Sequence, residues 1–522
     1  MRQWASLLFL AGMVAAAQQT LPAPTFRAGT KLVQVDVVVR DKNGPAAGLT
    51  KQDFTLLDNG KPQEIAVFSV RSSSFKSAET SGRPAVSLPP GAVSNRLNRD
   101  GEVPATTTVI LVDQKNTQRT DQAYAIQRIV KFIEKRRKRD RIGIYTFGRD
   151  GMQSVQELTD DPDLLRRAAN SLKPQAQSYA DGAGMTGRAA EEFGIQALTQ
   201  RVTDTKHALE AIARHFASAP GRKNLIWVTA SFPLIIVLPD RVVDFTPDME
   251  EAARALNNAN LALYAVDARG LIGALSTAIP TADTPGTKQP PLIQMMRAGV
   301  PAGPSGIDTM NKLAGLTGGD VYFNTNGIED SIQTAVEDAE LTYTVGFYSA
   351  PESKENASKD RDVHKLKVKV ARAGASVRYR ENYSASIAPA DATDRPTLDQ
   401  LLRDSLDATQ LGLFAETAPD QAHPGSYHVR LSVDLHNLKL DRQDASWVGA
   451  LDVSFFVEGS KAARTITERI QIPEDQLAAS LEKPIVVETS IALEAPTGVL
   501  RIVAQDQATG AAGSLRVPLG SK

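Results

Sequence analysis

Residues 104–342 alternate short apolar segments with longer segments of helical spacing, and this alternation restricts the possible folds more than any other feature of the chain. Four segments are apolar throughout, which is typical of strands buried on both faces: 107–112, 141–147, 224–229 and 261–266. Segments with apolar residues at helical spacing lie between and after them: 121–137, 187–217, 247–259, 309–316 and 328–341. This order predicts a doubly wound, Rossmann-type α/β fold, in which helices cover both faces of a parallel sheet.

Polar residues follow three of the predicted strands. In an open parallel sheet, the loops that leave the carboxyl ends of the strands gather at one edge, and ligands bind there. The loops concerned are 113–117, 229–232 and 267–270. We therefore expect these three loops to form the ligand-binding edge of the domain.

The segments on both sides of the α/β domain predict all-β sandwich modules. Residues 28–72 contain period-2 alternation of valine with polar residues, and strand-like alternation returns in 343–384. We expect these two segments to pack into one discontinuous module beside the α/β domain. Residues 73–103 are rich in Ser, Pro, Gly and Asn and predict a linker. Residues 396–522 contain strand-like segments at the spacing of a separate C-terminal β-sandwich.

The N-terminal segment predicts export. Arg2 precedes an apolar stretch of about fourteen residues, which ends in Ala15-Ala16-Ala17. The stretch is shorter than the roughly 20 residues that a membrane-spanning helix needs. We expect residues 1–17 to be a signal peptide, and the mature protein to be periplasmic or secreted without a transmembrane segment.

The charge balance and the lack of cysteine exclude several classes of function. The chain has 59 Lys and Arg residues against 60 Asp and Glu residues, so a general electrostatic affinity for nucleic acid or anionic lipid is not expected. The absence of Cys excludes disulfides, thiolate metal sites and Cys nucleophiles. The strongest basic run, 131–141, is more typical of a solvated helix end than of a polyanion-binding patch.

Several stretches of the sequence resemble one protein family. The segment Asp113-Gln114-Lys115-Asn116-Thr117 stands between a hydrophobic strand and a helix, as in von Willebrand factor A-type (VWA) domains. The other stretches resemble the VWA-related proteins of Acidobacteria: VDVVVRDKNGPAAGLTKQDFTLLDNGKPQEIAVFS (35–69), PGRKNLIWVTASFP (220–233), LYAVDARGL (263–271), MNKLAGLTGGDVYFNTNGIEDSI (310–332), and YTVGFYSAP (343–351) with HKLKVKV (364–370). The resemblance covers about residues 28–384 and leaves the C-terminal region unassigned.

The resemblance implies a metal-ion-dependent adhesion site, in which a D-x-S-x-S loop, a Thr and an Asp hold Mg²⁺ or Mn²⁺. Asp113, Thr117 and Thr205 match the first Asp, the second hydroxyl and the Thr of that pattern. Lys115 replaces the first Ser, and Ala230 stands in the position of the third-loop Asp. Both departures weaken cation binding, because a protonated ammonium cannot be a ligand and a carboxylate is missing.

Two interpretations of this degenerate site follow. In the favoured one, the site is metal-free and Lys115 pairs with Asp113. In the other, Asp113 and Thr117 hold Mg²⁺ or Mn²⁺ weakly while Lys115 points outward. We expect the ligand-binding edge to include Lys115, Asn116, Ser231 and Asp267.

The function implied by the resemblance is recognition of a protein or glycan partner at the cell envelope, without catalysis. Ser231 lacks the G-x-S-x-G context of a hydrolase nucleophile, and the glycines of 181–187 lack the Lys of a phosphate-binding loop. His207 and His215 lie eight residues apart, which favours structural roles over a metal pair. Two alternatives stay open: an envelope hydrolase with its site in the C-terminal region, and a structural subunit of an envelope assembly.

Overall fold

The structure, a computed structural model, describes residues 31–72, 92–97, 106–136, 140–176, 187–230, 232, 234–237, 241–270, 306–349, 363–384, 395–460, 463–492 and 497–520. The first strands are β1 Lys31–Asp41, β2 Gly44–Pro45, β3 Phe54–Asp58, β4 Lys61–Gln63, β5 Val67–Ser72 and β6 Val93–Ser94. The α/β domain contains β7 Thr107–Asp113, α1 Arg119–Lys135, β8 Arg141–Gly148, β9 Gly151–Thr159, α2 Pro162–Ser171, α3 Gly187–His215, β10 Lys223–Thr229, β11 Ile235–Val237, β12 Val242–Asp244, α4 Thr246–Asn258, β13 Leu261–Asp267, α5 Ile307–Thr317, β14 Val321–Tyr322 and α6 Ile328–Asp338. The remaining elements are β15 Leu341–Ser349, β16 Val363–Val370, β17 Ser376–Arg378, β18 Asn382–Ser384, α7 Leu398–Arg403, β19 Leu413–Pro419, β20 Ser426–Val433, β21 Asp441–Gln443, β22 Ser446–Val457, β23 Arg464–Pro473, α8 Leu477–Leu481, β24 Ile485–Ala492, β25 Gly498–Asp506 and β26 Ala512–Leu519.

Strands from both sides of the α/β domain form one two-sheet module. In the first sheet, β1 lies between β17 and β15, and β5 pairs with the far side of β15. In the second sheet, β16 lies between β18 and β3, and β4 follows β3. Alternate valines of β1, among them Val33, Val35 and Val37, point into the core between the sheets, where they contact Tyr343 and Leu366. Residues from 31–72 and 341–384 therefore share one hydrophobic core.

The central sheet of the chain has the strand order β14-β13-β10-β7-β8-β9. Neighbouring strands from β14 to β8 are parallel, and β9 is antiparallel to β8 at the edge. The other sheets in the described ranges are antiparallel, so most sheets of the chain are of that type. The polar segment of β9 was not predicted as a strand, because an edge strand with one exposed face lacks a continuous apolar run.

Two hydrophobic clusters lie on opposite faces of this central sheet. One contains Leu111, Leu225 and Trp227 with residues of α3, α4 and α5, and the other contains Ile110 and Ile226 with residues of α1, α2 and α6. Every residue of β7, β10 and β13 is buried. This double burial explains why the middle of each segment is a continuous apolar run, with the polar residues at its ends.

The C-terminal region forms two antiparallel sheets around one core. The first has the order β24-β20-β19-β6, and the second consists of β21, β22, β25 and β26 with β23 on β22. Strand β6 lies within 73–103, the segment predicted to be a linker, so that prediction needs correction at this point. Val93 and Ser94 pair with Ala415 and Phe414 of β19, and a two-residue strand is too short to show periodicity.

The segment that contains Leu401 and Leu406 packs against both the α/β domain and the C-terminal region. Leu406 lies in the hydrophobic core of the α/β domain, whereas Leu401 packs with Val503 in the C-terminal region. The buried guanidinium of Arg501 donates hydrogen bonds to the carbonyl oxygens of Leu401 and Leu406, at 3.2 and 3.1 Å, and pairs with Asp407. Among the described residues, no helix is long and apolar enough to cross a membrane.

Candidate ligand-binding edge

The carboxyl ends of β7, β10 and β13 lie side by side at one edge of the parallel sheet. Asp113 is the last residue of β7, and Thr229 and Asp267 end β10 and β13, where the register pairs them directly. Thr205 reaches the loop after β7, because its Oγ1 lies 2.9 Å from Nδ2 of Asn116. Thr205, which the family pattern matches to a Thr of a second loop, lies inside helix α3.

The carboxylate of Asp113 is buried and accepts five hydrogen bonds. Its Oδ1 accepts from the backbone N–H groups of Lys115 at 3.1 Å and Asn116 at 2.9 Å. Its Oδ2 accepts from Nδ2 of Asn116 at 2.8 Å. Two further donors to Oδ2 are Nε1 of Trp227 at 3.1 Å and Oγ1 of Thr229 at 2.8 Å. Burial raises the pKa of Asp113, and the hydrogen bonds from Asn116 and Thr229 oppose that rise.

The side-chain amide of Asn116 connects the loop after β7 to helix α3. Its Nδ2 donates both to Oδ2 of Asp113 and to Oγ1 of Thr205. Its Oδ1 accepts from Nε of Arg201 at 3.2 Å. The hydroxyl of Thr205 in turn donates to the carbonyl oxygen of Arg201 at 2.8 Å. One neutral side chain thus joins the two oxygens that a metal ion would join in the family's site.

The backbone of the same loop is fixed by buried side chains. Oγ1 of Thr117 accepts a hydrogen bond from the backbone N–H of Ala230 at 3.0 Å. Gln122, whose side chain is buried, donates from Nε2 to the carbonyl oxygens of Gln114 at 2.9 Å and Thr117 at 2.7 Å. Thr117 therefore joins the loops after β7 and β10 through a direct hydrogen bond.

Lys115 lies near the rim of the edge, and its ammonium pairs with the carboxylate of Asp204 on α3. The ammonium also lies 5.3 Å from the ring centroid of Phe147, a distance at which a cation–π contact is favourable. The predicted ion pair of the Lys115 ammonium with Asp113 is therefore wrong, because the ammonium pairs with Asp204 instead. The carboxylate of Asp113 is already enclosed by its own hydrogen-bond donors, and the long side chain of Lys115 extends past it to Asp204.

Asp267 turns its carboxylate toward Arg269. The backbone N–H and Nε of Arg269 donate to Oδ1 of Asp267 at 3.0 and 2.9 Å, and a terminal nitrogen donates to Oδ2 at 2.8 Å. The side chain of Asp267 is fully buried in this arrangement. Arg269, rather than Asp267, is thus the partly exposed group there. Ser231, the remaining predicted residue of this edge, lies outside the described residues.

The metal site implied by the family resemblance does not fit these residues. Mg²⁺ and Mn²⁺ need several oxygen ligands, but Asn116 directs a donor N–H₂ group at the oxygens of Asp113 and Thr205. Ala230 supplies no side-chain oxygen, and Lys115 brings a cation to the same loop. Within the ranges that the structure describes, no three His, Cys, Asp or Glu side chains are grouped to hold a metal ion.

Sequence reasoning missed three side chains that shape this edge: Asp204, Arg201 and Trp227. Helical spacing indicates two of them, because Arg201 precedes Thr205 by one turn and Asp204 precedes it directly. Trp227 lies in a strand whose every residue is buried, so no sequence pattern distinguishes it from an ordinary core residue.

No family model and no curated protein matches this chain. Similar solved structures include the SpRpn10 VWA domain, at 11% identity and a TM-score of 0.22, covering 44% of this chain and 93% of that one. Proximal thread matrix protein 1 from the mussel byssus is similar at 11% identity and a TM-score of 0.26, covering 45% of this chain and 47% of that one. The human COPII-coat protein Sec24c is similar at 10% identity and a TM-score of 0.23, covering 56% of this chain and 46% of that one. These TM-scores are too low to assign a function to this chain.

Proposed function

We propose that this chain is an exported, non-enzymatic binding protein whose α/β domain is a doubly wound domain of the VWA type. Its ligand-binding edge recognises a protein or glycan partner without a metal ion. The observation that carries the proposal is the position of Asn116, whose amide bridges Asp113 and Thr205. A preformed hydrogen-bond network at this place keeps the three loops in one arrangement before a partner arrives, which lowers the cost of binding.

Exposed apolar side chains that follow strands β10 and β14 of the same sheet support a protein partner. Phe323 follows the carboxyl end of β14 and is 48% exposed. The hairpin of β11 and β12, which follows β10, exposes Ile235 by 39% and Val242 by 62%. Aromatic and β-branched side chains exposed at a loop edge are typical of protein-contact surfaces. Lys115 and Asp204 add a charged pair to the same edge.

The first experiment asks whether partner capture depends on this edge and on a metal ion. The full chain is immobilised and exposed to native envelope extract, with and without EDTA. We expect one partner to be retained in both conditions and lost with the Val242→Glu/Phe323→Ser variant. Val486→Glu is the matched control, because Val486 is 41% exposed on the C-terminal sandwich. Loss of capture in EDTA, or equal loss with the control variant, would refute the proposal.

A second experiment tests the metal-free network by calorimetric titration with Mg²⁺ and Mn²⁺. The wild-type chain is expected to show no binding with micromolar affinity. The variant Lys115→Ser/Asn116→Ala/Ala230→Asp removes the ammonium and the bridging amide and restores a carboxylate. We expect this variant to gain Mg²⁺ binding, because Asp113, Thr117 and Thr205 then face a site with oxygen ligands. Micromolar binding by the wild type would contradict our interpretation.

A further inference from the structure

Strand β16 of the N-terminal module carries a row of lysines on its outer face. Lys365, Lys367 and Lys369 are exposed, whereas Leu366 and Val368 between them are buried in the core of the module. Side chains two residues apart on a strand point the same way and lie roughly 6.5–7 Å apart. The three ammonium groups therefore form a straight basic ridge along the outside of the sheet.

The residues beside the ridge do not neutralise it. On β3, the residues directly opposite Lys367 and Lys369 are Leu57 and Thr55. On β18, the residue opposite Lys365 is Asn382. Directly opposed residues of antiparallel strands share one face of the sheet, so the lysines have uncharged cross-strand neighbours. Throughout the part of the chain that the structure describes, no ion pair involves these three lysines.

Two outward arginines of the C-terminal sandwich, by contrast, have carboxylate partners. In the C-terminal sandwich, Arg430 of β20 lies 3.5 Å from Glu488, its direct cross-strand partner on β24. Arg442 of β21 lies 2.8 Å from Glu474. Like charges in a row repel one another, and without carboxylates beside them their positive potential extends into solvent. The β16 ridge thus differs from these two strand faces of the same protein.

We propose that this ridge binds an anionic polysaccharide that carries carboxylates along its length, such as a polyuronate. An extended chain lying parallel to β16 meets successive ammonium groups, and the flexible lysine stems adjust each charge to the spacing of the carboxylates. Thr55 and Asn382, on the same face, offer hydrogen-bonding groups to sugar hydroxyls. The ridge is a separate surface from the edge around Asn116.

The composition of this face favours a polysaccharide over nucleic acid. Single-stranded nucleic acids bind where aromatic side chains stack on the bases, and the residues that flank the ridge are Thr55, Leu57 and Asn382. The lysines act as point charges, without the bidentate geometry that guanidinium groups offer to phosphates.

The test is a binding titration of the full chain with polygalacturonate at low ionic strength, about 20 mM. The Lys365→Gln/Lys367→Gln/Lys369→Gln variant should weaken binding at least about tenfold, because three of the neutralising charges are removed. The matched control is Lys42→Gln/Lys173→Gln/Lys483→Gln, which removes the same charge from three exposed but scattered lysines. The control should bind like the wild type, and binding should weaken as salt is raised.

Neutral dextran and single-stranded oligothymidine serve as competing probes. Failure of the wild type to bind polygalacturonate, tighter binding of oligothymidine, or equal loss in the ridge and control variants would each overturn the proposal. The edge variant Val242→Glu/Phe323→Ser should bind polygalacturonate normally. The titration therefore distinguishes a failure of the proposed polysaccharide binding at the ridge from a failure of the proposed partner binding at the edge around Asn116.

Discussion

Replacing His215 with Gln should remove a pH-dependent contribution to the stability of the α/β domain. His215 is the last residue of α3 and is 5% exposed. Its Nε2 lies 3.1 Å from Oε2 of Glu157, and its Nδ1 lies 2.7 Å from the carbonyl oxygen of Asp407. A carboxylate and a carbonyl group only accept hydrogen bonds, so both ring nitrogens donate and the ring is an imidazolium.

The groups around the ring come from β8, β9 and the segment before β19. Tyr145 and Ser154 donate from their hydroxyls to the two carboxylate oxygens of Glu157, at 2.7 and 2.6 Å. Burial acts to lower the pKa of His215, but the hydrogen bond and charge of Glu157 outweigh it, with help from Asp407, and raise this pKa. Burial acts to raise the pKa of Glu157, but the hydrogen bonds from His215 and Ser154 lower it to about 2.

The sign of the pH dependence follows from these directions. Because the folded-state pKa of His215 is raised, its contribution is complete below the unfolded value of about 6.5 and is lost as pH rises through the folded-state pKa. Because the pKa of Glu157 is lowered, its contribution is present above the unfolded value of about 4.5 and is lost as pH falls toward about 2. The pair should stabilise the fold most between about pH 4.5 and pH 6.5.

The magnitude follows from the partial exposure of the pair. A hydrogen bond to a charged group contributes about 1.5–3 kcal/mol, and solvent screens part of it here because the Glu157 side chain is 50% exposed. We expect His215→Gln to lower the free energy of unfolding by about 2 kcal/mol near pH 5.5. The loss should become smaller toward pH 9, because the imidazolium of the wild type loses its proton as pH rises through the raised folded-state pKa of His215.

The assay is denaturant unfolding followed by tryptophan fluorescence. The chain has 3 tryptophans, so a Trp4→Phe/Trp447→Phe background leaves Trp227 in the α/β core as the reporter. His423→Gln is the control, because His423 pairs with Asp420 while its side chain is 72% exposed. An equal loss for His215→Gln at both pH values would refute the assignment of an imidazolium.

Three further variants test packing at named positions. A Cβ at Gly319 would lie 1.8 Å from the carbonyl oxygen of Leu263, so Gly319→Ala should cost about 4 kcal/mol or more in thermal or denaturant unfolding, and a cost below about 1 kcal/mol would contradict the close approach. Arg501→Met leaves the carbonyl oxygens of Leu401 and Leu406 and the carboxylate of Asp407 without their hydrogen-bond donor. It should lower the free energy of unfolding by about 3 kcal/mol, measured by denaturant unfolding followed by the fluorescence of Trp447. An unchanged free energy of unfolding would contradict the anchoring role of Arg501. Trp227→Phe removes one of the donors to Asp113 and should cost about 1–2 kcal/mol by circular dichroism, and an unchanged midpoint would show that this hydrogen bond contributes nothing.

The parallel strands β7, β10 and β13 could be predicted from the sequence because burial on both faces leaves a continuous apolar run in the middle of each. All residues of β7, β10 and β13 are buried, and each segment is apolar or β-branched over most of its length. Elements with weaker constraints were missed. The edge strand β9 has mixed exposure, and the β11–β12 hairpin consists of three-residue strands, so neither provides enough positions for a period to emerge.

The site was predicted less completely than the fold, because ligand positions in a family pattern say nothing about the side chains around them. The sequence identified Asp113, Thr117 and Thr205 and the two departures from the pattern. It did not predict which carboxylate Lys115 contacts, since Asp204 is far from Lys115 in sequence and approaches it only when α3 packs beside the loop after β7. The choice between them is made by geometry: Asp113 is enclosed by five donors, and Asp204 lies where a long side chain reaches it.

Asn116 shows how a side-chain amide can hold two oxygens of a loop edge together, as a metal ion does elsewhere. A divalent cation joins oxygens by accepting their lone pairs, and a side-chain amide joins them by donating two N–H groups, so Asp113 and Thr205 keep a shared partner. The amide also accepts from Arg201, which a cation cannot do. Arg201 and Lys115 place positive charge near this position, where they would repel Mg²⁺ and leave a neutral amide undisturbed. Lys115, Ala230 and the bridging amide of Asn116 therefore belong to one arrangement, in which hydrogen bonds hold the loops of this edge together.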